Sequence, residues 1–341
     1  MTWYFLRRLL LIVPTFIGIT ILVFVITRFV PGGPIERMIA EAQQASLQSG
    51  GGQQLGEGGQ TLDEDQLRQL EEYYGFDKPV LVSYWEWLLK VLRLDLGTST
   101  RYSEPVWDTI LERLPVSAFY GIMTMLITYF ISIPLGYWKA IKHNSHFDHA
   151  SSFIVFVGYA VPSYVIGIIL LVVFAANLEW FPMGGFYSED FEDLDSFWQQ
   201  AEDILYHAVL PLLAYVAGSF AVMTFMMKNA LMDNLAADYV RTAIAKGLPF
   251  RKAITRHALR NSLIPIATHF GNNISVIIGG SFLIEKIFNI DGLGLLGYES
   301  VVERDYPIVL GVLVISAILQ LLGNILSDIC VAIVDPRVQF K

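Results

Sequence analysis

The sequence predicts an all-α polytopic membrane protein with six transmembrane helices and an external helical insertion between the first and second spans. Three observations carry that expectation: composition, six apolar runs of bilayer length, and an uneven distribution of Lys and Arg between them. Of 341 residues, 54% are hydrophobic and 16% charged, with a mean hydropathy of +0.50. These values lie outside the range of ordinary soluble domains. A lone Cys330 excludes an intrachain disulfide framework and a multi-cysteine metal site.

A hydrocarbon core of about 30 Å requires about 20 apolar residues per helix. Leu9–Thr27, Val116–Trp138, Ala150–Leu178, Ala208–Met227, Leu263–Leu283 and Ile308–Ser327 meet that length. Arg7 and Arg8 precede the first run as they would in a signal peptide, but the run exceeds a usual h-region and no small-x-small cleavage site closes it. It reads as a retained span. The chain therefore divides into an N-terminal transmembrane helix (1–30), an extracytoplasmic region (31–115), a five-helix core (116–331) and a short tail (332–341).

Charge sets the orientation. Segment 228–262 holds seven Lys/Arg, whereas 177–207 holds none and eight acids. Basic residues in short loops mark the cytoplasmic side, so both termini are expected inside. The formal net charge of −9 then belongs to the outer face and argues against nucleic-acid binding.

Within 31–115, Gln48–Gln60 is Gly/Gln-rich and reads as a flexible loop. Leu62, Leu67, Leu70, Tyr73 and Tyr74 then recur near helical spacing up to an Asp-Lys-Pro stop. Trp85, Trp87, Leu88, Leu92 and Leu96 follow as the apolar stripe of an amphipathic helix at the outer interface or packed on the spans.

The stretch Asp238–Ile266, "DYVRTAIAKGLPFRKAITRHALRNSLIPI", has helix formers on both sides of Gly247-Leu248-Pro249. Gly suits the left-handed residue that closes one helix and Pro the first turn of the next. About 35 residues with helices of their own exceed a simple connection. The stretch reads as a basic helix pair on the inner face that docks a cytoplasmic partner.

This segment resembles the coupling loop of ABC-importer permeases, whose pattern is Glu-Ala-Ala, three residues, Gly, then Leu-x-Pro. Arg241-Thr242-Ala243, Gly247 and Leu263-Ile264-Pro265 occupy those places. Arg241 stands for the Glu and Thr242 for the first Ala, in the form of the dipeptide/oligopeptide/nickel subfamily. "PGGP" (Pro31–Pro34), "YGFDKP" (Tyr74–Pro79), "LDLGTS" (Leu94–Ser99), "RLPVS" (Arg113–Ser117), "GLGLLGYESVVERDYP" (Gly292–Pro307) and "SDICVAIVDPR" (Ser327–Arg337) extend the likeness over nearly the whole chain. The Gly/Gln-rich insertion and "FDHASSFIVFVGYAVPSY" (Phe147–Tyr164) make it most similar to the Yej-type B permeases of peptide importers. The resemblance implies a type I ABC importer permease fold and peptide import. It also implies ATPase coupling through Arg241, Thr242, Ala243, Lys246, Gly247, Leu248 and Pro249. The implied partners are a homologous second permease, two ABC ATPase subunits or one fused ATPase chain, and an extracytoplasmic peptide-binding protein. Dipeptide, glutathione and nickel permeases share these motifs.

Gly292, Gly294 and Gly297 have the Gly-x-Gly-x-x-Gly spacing of a dinucleotide site, but no βαβ context surrounds them and no acid occurs in Ile308–Ser327 to hold a ribose. Leu293, Leu295 and Leu296 point instead to a short, tightly packed re-entrant or interfacial turn near an external gate. None of the nine Lys is followed by Ser or Thr, so there is no P-loop. No cofactor is expected in this chain, and ATP and Mg²⁺ fall to the partners. For an intramembrane enzyme the best candidates are His143, His146 and His149, whose i, i+3 spacing shares a helix face. No Glu is placed beside them as a base, so a polar loop at the headgroups is the expectation and no metal is assigned. A channel would show a filter or a ring of charges, which the spans lack. His269, Asn272 and Asn273 in the fifth span are costly to face lipid and turn inward, to line a translocation path or to join helices by hydrogen bonds.

Overall fold

The computed structural model describes residues 2–29, 77–270 and 280–334; side chains are described from residue 10 onward, except those of 26, 27 and 29. Among the described residues regular structure is helical, apart from one isolated antiparallel bridge between Thr98 and Pro105. The helices are α1 (Thr2–Phe29), α2 (Val80–Leu92), α3 (Val106–Ile141), α4 (His146–Ala160), α5 (Ser163–Leu170), α6 (Phe197–Ala236), α7 (Asp238–Ala245) and α8 (Phe250–Ala253). After them come α9 (Leu259–Ser262), a helical run over 264–270, α10 (Phe282–Ile287), α11 (Leu293–Val302) and α12 (Tyr306–Val334). The Gly/Gln-rich loop, the helix expected after it, Asn272, Asn273 and the last seven residues lie outside the described residues.

Three helices, α3, α6 and α12, are long and apolar enough to cross a membrane. A fourth expected span, Ala150–Leu178, is two helical pieces, α4 and α5 with its π-helical continuation Leu171–Asn177, meeting at 97°. The break has a local cause. Pro162 supplies no N–H and excludes the helical region for its predecessor, so Val161 is extended at φ −91°, ψ 123°. Leu10–Val25 of α1 is a shorter apolar stretch. The expected Leu263–Leu283 span falls partly on 271–279, outside the described residues.

The chain forms two units. The first comprises 1–10, 113–296 and 316–341. One of its cores gathers Tyr120, Ala208, Leu212, Ala214, Ile284, Phe288 and Ile290. Another packs Ala140, Met223, Met227 and Leu231 against Val240, Ala253, Ile254 and Ala258. The close approach of α3 to α6 rests on Gly136, where a Cβ would come within 2.6 Å of the Met227 Cβ.

The second unit comprises 11–112 and 297–315. Phe24 of α1 packs on Tyr84 and Trp87 of α2 with ring centroids 5.5 and 5.6 Å away, and Thr20 hydrogen-bonds the Tyr84 hydroxyl at 3.0 Å. The expected apolar stripe of α2 divides. Ser83, Leu88 and Val91 are buried, whereas Trp85 and Leu92 face outward. Arg101 bridges Glu299 and Glu303 at 2.9 and 2.8 Å, and Ser99 donates to the fully buried Asp305, which caps the first turn of α12 at Ile308.

Candidate functional site

The segment after α6 folds as a helix, a tight turn and a second helix. α6 stops where Ala237 turns extended at φ −71°, ψ 145°. α7 then runs for eight residues and ends in a Schellman motif. The Gly247 N–H donates to the Ile244 carbonyl at 2.9 Å and the Leu248 N–H to the Ala243 carbonyl at 3.1 Å. Gly247 has φ +90°, the left-handed geometry that the Gly-Leu-Pro sequence led us to expect, and a Cβ built on it meets nothing within 4 Å. Its cost to any other residue is therefore conformational and not steric. Pro249 is the residue before α8 and forms its N-cap rather than its first helical position, with φ −56° and ψ 139°.

The inner side of this unit is apolar: Val240, Ala253, Ile254 and Ala258 are buried against α6. A polar clasp holds its ends. The Tyr239 hydroxyl donates to Asn234 and receives a bond from the Asn261 amide at 3.0 Å, and Asn234 also donates to Ser262 at 3.2 Å. Arg260 donates to the Val334 carbonyl at 2.7 Å, fastening the segment to the end of α12.

The outer side is cationic with apolar studs. Arg241, Thr242, Lys246, Gly247 and Pro249 are exposed, and Ala243 and Leu248 are half-buried. Ile244 and Phe250 stand exposed among Arg241, Lys246, Arg251, Lys252 and Arg256. None of those five cations has a carboxylate partner among the described residues. Large apolar side chains ringed by unpaired charge suit a protein interface rather than lipid or bulk water. The seven residues expected to couple to an ATPase thus lie together on one turn and its flanking helices.

At the start of α4 is a group that the sequence did not announce. Segment 143–149 was expected to be an exposed polar loop, yet Asp148 is only 2% exposed. Lys228 of α6 donates to both its carboxyl oxygens at 2.8 Å. Lys139 of α3, with no exposed surface, lies 3.1 Å from Oδ1 and donates to Ser151 and Ser152 at 2.9 and 2.7 Å. Ser145 caps α4 by accepting from the Asp148 N–H at 3.3 Å. The Ser-x-x-Asp spacing was the available signal for that helix start, but nothing local announces the two lysines. His143 approaches Asp148 at 3.3 Å, whereas His146 and His149 are exposed. The three histidines do not converge, and no group of metal-binding side chains occurs among the described residues.

The glycine-rich stretch is a ten-residue helix, α11, and not the turn expected from its sequence. Its first amides are capped by distant side chains. The Leu293 N–H donates to Ser117 at 2.8 Å and the Leu295 N–H to Glu285 at 2.6 Å. The Tyr215 hydroxyl donates to the other Glu285 oxygen at 3.3 Å. A Cβ on Gly292 would lie within 2.8 Å of that carboxylate. The glycine does let an acceptor reach a helix N-terminus, but the acceptor is the chain's own Glu285 side chain. Gly294 lies within the helix, and a Cβ on Gly297 would make only ordinary contact with Val312 at 3.5 Å.

Of the residues expected along a path, His269 has a buried Nδ1 with no hydrogen-bond partner among the described residues. Asn272 and Asn273 lie outside them.

Residues 132–340 match the family described as binding-protein-dependent transport system inner membrane component. The chain is 41% identical to the peptidoglycan transport system permease protein YejB of Agrobacterium fabrum, covering 99% of this chain and 98% of that one. It is 39% identical to the inner membrane ABC transporter permease protein YejB of Escherichia coli O157:H7, over 99% of each chain. It is 36% identical to the oligopeptide transport system permease protein AppB of Bacillus subtilis, over the full length of both. With more than half of its length matched by the family and full-length relatives above 30% identity, the chain belongs to the binding-protein-dependent transport system inner membrane components.

Proposed function

We propose that this chain is one permease subunit of an ATP-driven importer that moves peptides inward across the bacterial plasma membrane. Six spans with both termini in the cytoplasm, a homologous second permease, two ATPase subunits or one fused ATPase chain, and an extracytoplasmic peptide-binding protein complete the assembly. The observation that carries this reading is the exposed cationic face of α7 and α8 around Gly247, seated on an apolar base against α6. Such a rigid lever transmits force from a cytoplasmic partner directly into a membrane-crossing helix. Closure of ATP-bound partners displaces α7, α6 follows, and the path changes the side to which it opens. The partners supply ATP, Mg²⁺ and its hydrolysis; this chain supplies coupling and path.

The relatives' names specify peptidoglycan and oligopeptide transport. Short peptides are the chemistry these share, and we assign that class to this chain. The test is co-purification from native membranes with mass spectrometry of bound subunits and ligand, followed by uptake of labelled peptide in proteoliposomes. ATP hydrolysis that persists in the isolated chain, or purification without any ATPase subunit, defeats the reading.

A further inference from the structure

α2 is apolar on two faces, and the packing described above covers one of them. On a helix of 3.6 residues per turn its side chains sort into three sectors. Ser83, Leu88 and Val91 are buried, with Tyr84 and Trp87 half-buried beside them. Leu81, Val82, Trp85, Leu89 and Leu92 form a second apolar stripe that stands exposed, Leu81 at 80%, Trp85 at 60% and Leu92 at 64%. Glu86, Lys90 and Arg93 make an exposed polar band along the far edge of that stripe. A helix at the surface of a soluble domain hides its one apolar stripe against the core, so a second stripe requires a second apolar medium.

The depth at which α2 is held identifies that medium. Just before the helix, the Arg28 guanidinium donates to the Lys78 carbonyl at 2.9 Å. Farther along, Tyr84 and Trp87 pack on Phe24, and the Tyr84 hydroxyl meets Thr20 at 3.0 Å. Phe24 and Thr20 lie three and seven residues inside the end of the first apolar run at Thr27. At 1.5 Å per residue they stand roughly 5 and 10 Å below the hydrocarbon edge. The segment leaving α2 is fixed at a similar level on α12. There the Leu96 side chain reaches within 3.4 Å of where a Cβ on Gly311 would stand, three residues inside the run that begins at Ile308. With six spans, the end of the first run and the start of the last share one side of the membrane. Two spans therefore bracket α2 about 5–10 Å into the acyl boundary, the depth at which interfacial amphipathic helices settle.

On the proposed permease reading, with the N-terminus inside, we infer that α2 is a lipid-facing helix sunk into the outer leaflet: phospholipid acyl chains cover Leu81, Val82, Trp85, Leu89 and Leu92, and Glu86, Lys90 and Arg93 rise to the headgroups. The charge of the band fits that occupant. Glu86 is already paired with Lys78 at 2.7 Å, which leaves the exposed cations Lys90 and Arg93 to meet phosphate. Their long stems run along apolar surface while the charged ends reach water, and Trp85 is of the residue type favoured at this level.

The test is spin labelling of the whole transporter in lipid nanodiscs, with its native cysteines replaced, Cys330→Ser in this chain. Collision rates of each label with oxygen and with a water-soluble nickel chelate report its surroundings. Labels at Leu81→Cys, Trp85→Cys and Leu92→Cys are expected to favour oxygen about tenfold, since hydrocarbon excludes a hydrated polar complex. Glu86→Cys and Lys90→Cys reverse the preference. Leu22→Cys on α1, an exposed position, is the reference for the spanning reading. Chelate-accessible Trp85→Cys and Leu92→Cys beside an oxygen-favouring Leu22→Cys place the stripe in water and overturn the inference alone. Low collision with both reagents along the stripe also overturns it, because protein then covers the face, either residues 30–76 of this chain or the second permease. Oxygen preference all around α2 does the same, since the helix is then wholly immersed and has no headgroup side. A Leu22→Cys label open to the chelate defeats the spanning reading on which the inference rests.

Discussion

Lys228 Nζ sits 2.8 Å from both carboxyl oxygens of Asp148, while Lys139 reaches the same carboxylate from another helix at 3.1 Å. The C-terminal parts of α3 and α6 and the start of α4 are thereby joined through one buried anion, and α6 leads directly into α7. Two ammoniums on one buried carboxylate, Lys139 fully buried and Lys228 partly so, make the anion the indispensable member. Asp148→Asn leaves two charges uncompensated and is expected to cost about 3–5 kcal/mol, the range for breaking a buried pair. Lys228→Met costs less, since Lys139 still neutralises the carboxylate. Thermal unfolding of the detergent-purified complex measures both. An Asp148→Asn midpoint equal to the parent's, or one above that of Lys228→Met, refutes the ordering.

At Gly247 the expected loss is of coupling rather than of folding. The φ of +90° costs a residue with a Cβ roughly 1–2 kcal/mol, more for a β-branched one, and no neighbour obstructs the side chain. Gly247→Val therefore reaches the membrane at normal abundance with peptide uptake and uptake-linked ATP hydrolysis reduced by about an order of magnitude, since the coupling element is misplaced. Parent-like transport by correctly assembled Gly247→Val removes the 238–266 segment from the coupling role.

Gly292 and Glu285 form a testable pair. Gly292→Ala drives a methyl group into the buried carboxyl and is expected to cost about 1–3 kcal/mol, as overpacking does. Glu285→Ala removes that clash but leaves the Leu295 N–H without its acceptor. The two effects are not additive, and the double variant should be less destabilised than the sum of the singles. Simple additivity in unfolding midpoints means that the glycine is there for another reason.

Topology is open to direct labelling. In a Cys330→Ser background, Asp193→Cys should react with a membrane-impermeant thiol reagent in intact cells or spheroplasts and Lys252→Cys should not, following the charge asymmetry. Both positions are exposed, so reactivity reports sidedness rather than burial. The reverse pattern inverts the assignment.

The helical class, the existence of α3, α6 and α12, and the α7–Gly247–α8 turn were legible in the sequence alone, although the three helices run 36, 40 and 29 residues, well beyond their apolar runs. Apolar run length, the left-handed preference of glycine and the φ restriction of proline act within a few residues and need no partner. Pro162 was equally local, and its break of the third apolar run was legible in principle. The site at Asp148 and the meaning of Gly292 were decided only by tertiary structure. Asp148 meets a lysine 80 residues away, and the Gly292 backbone makes room for a carboxylate that also caps α11. A single charge or glycine in a sequence has no direction. Its role follows from which helix face packs against which, and that is fixed by burial summed over the whole unit rather than by any local pattern.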